Sequence, residues 1–387
     1  MFVRIDNDPR DYAWGSTHAI AELRGRTPQG GPEAELWLGA HPGSPARILD
    51  STLTDGAQSL DTWKESAALP FLLKILAADK PLSLQAHPSL AQAQAGFERE
   101  NRAGIPLNAP DRNYADANHK PEMIFALSDP FEALSGFRAP AESAAALRTL
   151  GGGNHPVIDA FADTLSGEPA TSLRAATEWI LAGGPDVGRL VDALIECAAD
   201  HQTGPGAVEA DTVRLLSDAF PGDPGVVLAL LLNRVRLSPG QVLYLPAGNI
   251  HAYVKGLGIE LMAASDNVLR GGLTPKRIDV QELVAIVDFS PRPATPLTPE
   301  HPEPGVTVFR PALPDFLLTH VVGSGDGNHS VNLTGTTIAL CTAGNLELAG
   351  TDSSLELKRG EAALITVAEE NLHITGTGEL FLAMPGQ

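Results

Sequence analysis

Leu69-Pro70-Phe71-Leu72-Leu73-Lys74-Ile75-Leu76, followed after a short break by Pro81-Leu82-Ser83-Leu84-Gln85-Ala86-His87-Pro88, is the stretch that organises this chain. Apolar runs of this length bounded by proline predict strands. Side chains at i and i+2 leave the same face of a strand, so Gln85 and His87 point together and Ser83 shares their side. An imidazole beside an amide, on a strand otherwise built from leucine, is costly to bury unless something satisfies it. A metal ion is one candidate.

At 387 residues the chain exceeds one ordinary core, and three domains are expected. With 43% hydrophobic and 19% charged residues it has the composition of a packed globular protein. It has no run of about 18 apolar residues. Met1 to Asp6 lacks the apolar core of a signal peptide, and a cytoplasmic location is expected. Cys197 and Cys341 are too few for a disulfide framework or a thiolate zinc site, so any metal must be held mainly by nitrogen and oxygen. The net charge of −20 argues against nucleic acid and anionic membrane as partners. An anionic substrate would then need a local basic patch.

Outward from the central stretch, Glu35, Trp37 and Gly39 alternate with Leu36, Leu38 and Ala40, which predicts a strand with His41 on its wetter side. A lone histidine there weighs more as a hydrogen-bonded structural residue than as a ligand. Ser89 to Arg102 is a predicted helix capped by Ser89. In His119-Lys120-Pro121-Glu122-Met123, proline keeps Lys120 extended, which sets Glu122 at a strand entrance with Lys120 on the same side. From Ala139 to about Leu232, Ala-rich segments at three- and four-residue spacing predict a helical insert, including 172–181, 186–198 and 208–220. His155 and His201 fall at helix edges and are read as structural. Strands resume near Leu237, and His251, Tyr253 and Lys255 should share one face. Eight prolines between Pro291 and Pro314 predict a linker. Beyond it, 337–342 and 345–348 predict short strands joined by a turn at Ala343-Gly344, with His373 unpartnered.

The run Gly240, Pro246-x-Gly248, His251 resembles the second metal-binding motif of the cupin superfamily. It departs from that pattern at Lys255, where the family often has asparagine, so the usual role of that position is not carried over. The segment from Gly258 to Arg277, with Ser265-Asp266-Asn267, Arg270, Gly271-Gly272 and Pro275-Lys276, resembles the signature of type I mannose-6-phosphate isomerases. Trp14-Gly15-Ser16, 34–42, 84–88 and 119–123 extend the resemblance, in order, over about residues 1–290.

Together, residues and resemblance imply a mainly β protein with a helical insert. The expected layout is a cupin jelly-roll catalytic domain (1–138 and 233–290), an α-helical domain (139–232), a Pro-rich linker (291–314) and a second, metal-free cupin-like β domain (315–387). The resemblance implies metal binding by Gln85, His87, Glu122 and His251. Their donor set suits one zinc ion per chain, with iron or manganese possible. The implied reaction interconverts mannose 6-phosphate and fructose 6-phosphate through a metal-assisted enediolate, feeding mannose and GDP-mannose metabolism. The resemblance marks Arg270 as the catalytic cation, Lys120 is expected to assist charge stabilisation or phosphate binding, and Glu260, Asp266 and a metal-bound water stay open as the proton carrier. Ser83 and Lys276 are phosphate candidates, and Tyr253 supports the pocket. The partner is a small sugar phosphate, and a monomer is expected.

Two rivals stand beside this reading. An iron-dependent cupin oxygenase would have no evident use for the charges of Arg270 and Lys120, and oxygen uptake on adding iron would favour it. A non-catalytic sugar-phosphate-binding bicupin would bind substrate without turnover.

Overall fold

Both faces of the strand Phe71–Ala78 are covered, as its unbroken run of large apolar residues requires. This strand belongs to a computed structural model that describes residues 1–66, 69–351 and 353–386. Its neighbour is the strand His251–Ala263, paired from Gly256 opposite Ala78 to Ala263 opposite Phe71. That thirteen-residue strand joins two half-sheets. Its second half lies with Glu35–Leu38, Phe71–Ala78, Glu122–Ala126 and Val242–Leu245. Its first half lies with Leu269–Arg270, Gln85–Ala86, Phe131–Phe137 and Leu232–Leu237.

The shared strand turns a corner. Glu122 sits opposite Met262, eleven positions beyond His251, and extended chain of that length would span roughly 36 Å. Yet the side chains of Glu122 and His251 meet at 3.2 Å. The strand therefore doubles back, and the half-sheets face one another. The turn falls at a register shift between Tyr253 and Lys255, followed by Gly256 at φ +133°. A Cβ at Gly256 would stand 2.7 Å from the Phe131 ring, so no side chain fits the corner.

Helices from Pro140–Leu150 to Gly225–Ala229 fill the chain between the strands Phe131–Phe137 and Leu232–Leu237. Those beginning at Pro140, Pro156, Pro169 and Pro185 place proline in the first turn, where its missing N–H costs nothing. Leu147, Leu173, Leu190 and Leu216 share one core with Leu84, Leu134, Phe137 and Ile250. The helical segment is thus the backing of the half-sheet that carries Gln85, His251 and Arg270. The helix Leu90–Arg102 starts at Ser89 in a reciprocal cap with Gln92.

The second sheet corrects three expectations. The Pro-rich stretch is more than a linker: Glu300–Glu303 and Val306–Phe309 form a hairpin on the strand Leu317–Asn332. Pro302 is tolerated because its strand is the sheet edge. The N-terminal strand Phe2–Asp6, expected with the catalytic domain, pairs instead with Ala362–Ile365. Ala343-Gly344 is not a turn but lies inside one strand, Thr337–Ala349, at a register shift. A Cβ on Gly344 would lie 2.0 Å from the carbonyl oxygen of Thr377, so the glycine marks close backbone approach. Phe125 meets Phe309 and Phe381 edge-on, which joins the two sheets in one core. Among the described residues no helix is long and apolar enough to cross a membrane.

Candidate metal centre

The turn that delivers His251 is built at Gly248, whose φ is +78° and whose N–H donates to the carbonyl of His87 at 2.8 Å. That bond places the two histidine segments side by side. His251 then pairs with Gln85, and Gln85 on its other edge pairs with Arg270. Paired residues of neighbouring strands project from the same face, so His251, Gln85 and Arg270 form a row. From the facing half-sheet, Glu122 opens its strand directly after Pro121.

His87, Glu122 and His251 converge, with donor atoms within 4.8 Å of one another and all three side chains buried. Nε2 of His87 lies 3.3 Å from Oε1 of Glu122, and Nε2 of His251 lies 3.2 Å from Oε2. The far side of each ring is already committed. Nδ1–H of His87 donates to the carbonyl of Asn267 at 2.7 Å, and Nδ1–H of His251 donates to that of Asn249 at 3.0 Å. In a neutral His87 the one N–H is the one on Nδ1, so its Nε2 turns a lone pair toward an acceptor-only carboxylate. Nε2 of His87 is buried without a hydrogen-bond partner among the described residues. Such an arrangement calls for a cation between the three groups, and two imidazoles with a carboxylate fit zinc. The Gln85 amide, 3.4 Å from Nε2 of His251, could add a neutral oxygen because its two ends exchange on rotation.

The charge states agree with ligation. Burial pulls the His87 imidazole down to about 4, so it is neutral near pH 7. Burial alone would raise the Glu122 carboxyl, but Lys120 and the histidines hold it well below its usual range. Nζ of Lys120 is 3.0 Å from Oε1.

Glu260 is buried opposite Lys74 on the neighbouring strand, with Nζ of Lys74 at 2.9 Å from its carboxylate and 3.5 Å from that of Glu35. Burial, then the nearby carboxylates, raises Glu260, although Lys74 opposes the shift. Lys74 itself is held charged against burial by Glu260 and Glu35. Tyr253 is buried against Phe131, and its hydroxyl has no hydrogen-bond partner among the described residues. Asp266 is the open carboxylate: its side chain is 56% exposed, and Nε2 of His41 at 3.3 Å lowers its pKa. His41 is therefore a partner of Asp266 and not a member of the triad. A cavity of about 370 Å³ opens beside Arg270 and is lined also by Asn113, Lys276 and Arg277. Burial alone perturbs Arg270, and Arg270 in turn depresses the exposed Lys276 ammonium. Four cations, Arg112, Arg270, Lys276 and Arg277, thus line one cavity together with the Asp279 carboxylate. Ser83 is half-buried on the neighbouring segment and is not among the residues that line it.

Residues 2–140 match the sequence model of the phosphomannose isomerase type I catalytic domain. The mannose-6-phosphate isomerase of Escherichia coli is 38% identical over 97% of this chain and 98% of its own length. That of Homo sapiens is 30% identical, over 96% of this chain and 95% of its own. The chain belongs to the type I phosphomannose isomerase family. A zinc-bound mannose 6-phosphate isomerase superposes with a TM-score of 0.86 at 35% identity, covering all of both chains. The apo form from Salmonella typhimurium gives 0.87 at 36% identity, over 100% of this chain and 99% of that one.

Within this family frame, the fold brings together the four expected ligands and sets Lys120 against them. It places Glu260 in an ion pair and Lys276 at the rim. Sequence reading did not weigh Lys74, although the signal was present: a buried lysine is almost always paired, and this one interrupts an apolar strand. Nor did it find Asn267 behind His87, since the residues that hold its amide are 149 to 152 positions away.

Proposed function

We propose that the chain interconverts mannose 6-phosphate and fructose 6-phosphate at this centre, with zinc held by His87, Glu122, His251 and Gln85. The observation that carries the reading is the conjunction of a buried ligand triad and a row ending in Arg270 with full-length family membership. We further propose that the two facing half-sheets form a cupin jelly roll and carry all of the chemistry.

Bound zinc would supply Lewis acidity to the sugar oxygens. The row His251, Gln85, Arg270 spans two strand spacings, roughly 10 Å, which suits a sugar with its reacting end at the triad and its phosphate toward the cavity. Lys276 meets the phosphate charge, in a protein whose net charge of −20 offers little general attraction to anions. The planar guanidinium of Arg270 stabilises oxygen charge in the enediolate, and the ammonium of Lys120 does so from the opposite side. Of the two carboxylates, Asp266 carries the proton between neighbouring carbons, because it is open to a ligand while Glu260 is occupied by Lys74. The half-sheets exclude water from the reacting carbons.

The test is a coupled assay on mannose 6-phosphate with metal analysis of the same sample. Chelation abolishes turnover, zinc restores it, and the far-ultraviolet circular dichroism spectrum is unchanged throughout. Full turnover by rigorously metal-free protein would refute the assignment.

A further inference from the structure

We infer that Asn267 is a positioning residue for the metal centre, fixing through its own backbone carbonyl the tautomer and the direction of His87. The inference rests on the metal-ligand reading of His87.

The two histidines are oriented by different means. His251 donates to the carbonyl of Asn249, two residues earlier, so the turn itself supplies the acceptor. His87 donates to the carbonyl of Asn267, 180 positions away, so its acceptor must be brought in by contact between distant segments. Strand pairing of Leu269–Arg270 with Gln85–Ala86 anchors the chain on one side of that carbonyl. On the other side the anchor is the Asn267 side chain, which is fully buried.

Its amide is saturated. Nδ2 donates to the carbonyls of Asp116 at 2.9 Å and Asn118 at 2.8 Å, and Oδ1 accepts from the N–H groups of Ala115 at 2.8 Å and Asp116 at 3.3 Å. The Asp116 carboxylate reinforces the tie by accepting from the hydroxyl of Ser265 at 2.9 Å and the N–H of Asp266 at 2.8 Å. A side chain of another type cannot offer both two donors and an acceptor with this reach. Residues 115–118 also lead directly into Lys120 and Glu122. The same amide therefore couples the segment carrying the carboxylate ligand to the acceptor of an imidazole ligand. Partners that orient a metal-bound histidine typically contribute 10–100-fold to metal affinity.

The experiment measures the zinc dissociation constant of the metal-stripped full-length protein by competition with a chromophoric chelator, for wild type and Asn267→Ala. Thermal unfolding of the metal-free forms establishes that each is folded. Cobalt bound in place of zinc reports ligand geometry by its visible absorption. The expected result is a folded Asn267→Ala protein that binds zinc about 10–100-fold more weakly, with altered cobalt bands. Equal affinity and unchanged bands in a folded variant overturn the role of Asn267 while leaving the metal centre intact. If Asn267→Ala does not fold, Asp116→Ala is judged by the same criteria: weaker zinc binding supports the tie, and wild-type affinity overturns it. A wild-type protein that fails to bind zinc overturns the metal centre and this role with it.

Discussion

Lys74→Met replaces a buried ammonium by an apolar side chain of similar length and leaves Glu260 and Glu35 without their shared cation. Breaking a buried pair from one side costs about 3–5 kcal/mol. A second route sets a ceiling, because the stranded Glu260 can take up a proton instead of remaining charged. Protonating a carboxyl whose unfolded pKa is about 4.3 costs roughly 1.36 kcal/mol per pH unit above that value, hence about 5 kcal/mol at pH 8 and about 2 at pH 5.5.

The sign follows from linkage. A carboxyl whose folded pKa is raised binds more protons in the folded state, so stability of the variant rises as pH falls toward the unfolded value. In the wild type, Lys74 is raised by its partners over the opposition of burial. Its contribution is complete below the unfolded pKa of about 10.4 and is lost only as pH rises through the folded value. It therefore adds no slope between pH 5.5 and 8. Because Glu260 is already raised in the wild type, urea unfolding of both proteins at the two pH values should show a stability gap that narrows by up to about 3 kcal/mol at the lower pH. A gap below about 1 kcal/mol, or one equal at both pH values, refutes the view that Lys74 neutralises buried carboxylates.

His251→Ala should lose more zinc on dialysis than Gln85→Ala, because imidazole is the stronger donor, and equal retention would count against the ranking. Arg270→Ala should lower kcat by about 10²–10³ with unchanged metal content, and Arg270→Lys should recover only part, which steady-state kinetics with metal analysis will check. A raised KM at normal kcat would instead make Arg270 a phosphate anchor. Gly256→Ala should destabilise the protein by at least about 1–3 kcal/mol in urea unfolding, since its Cβ would collide with Phe131 at a backbone angle that other residues avoid.

Much of the site was readable because local chemistry marks it. Proline before Glu122, the Pro-x-Gly turn before His251, and a polar pair on a leucine strand each violate the surrounding pattern, and violations of pattern concentrate at functional sites. What stayed hidden depends on distance in sequence. Nothing near Phe2–Asp6 indicates a partner at Ala362–Ile365. Likewise, Glu260 reads as a free carboxylate until Lys74 is found directly opposite it across the sheet. Ala343-Gly344 failed for another reason: glycine marks turns, bulges and close backbone approach alike, and only the neighbouring strand at Thr377 decides among them.

The division of the proposed ligands between the two half-sheets would let the centre exist before its metal arrives. Gln85 and His251 lie on one half and Glu122 on the other, while the strand His251–Ala263 belongs to both. Each half is held by its own packing: the helices back the first, and the second shares a core with the C-terminal sheet. A zinc finger lacks such cores and folds only with metal bound. Here hydrophobic packing sets the distance between the halves, the carbonyls of Asn249 and Asn267 orient the imidazoles, and Lys120 keeps Glu122 ionised. On the proposed reading, the metal then contributes chemistry to a site whose geometry the chain has already determined.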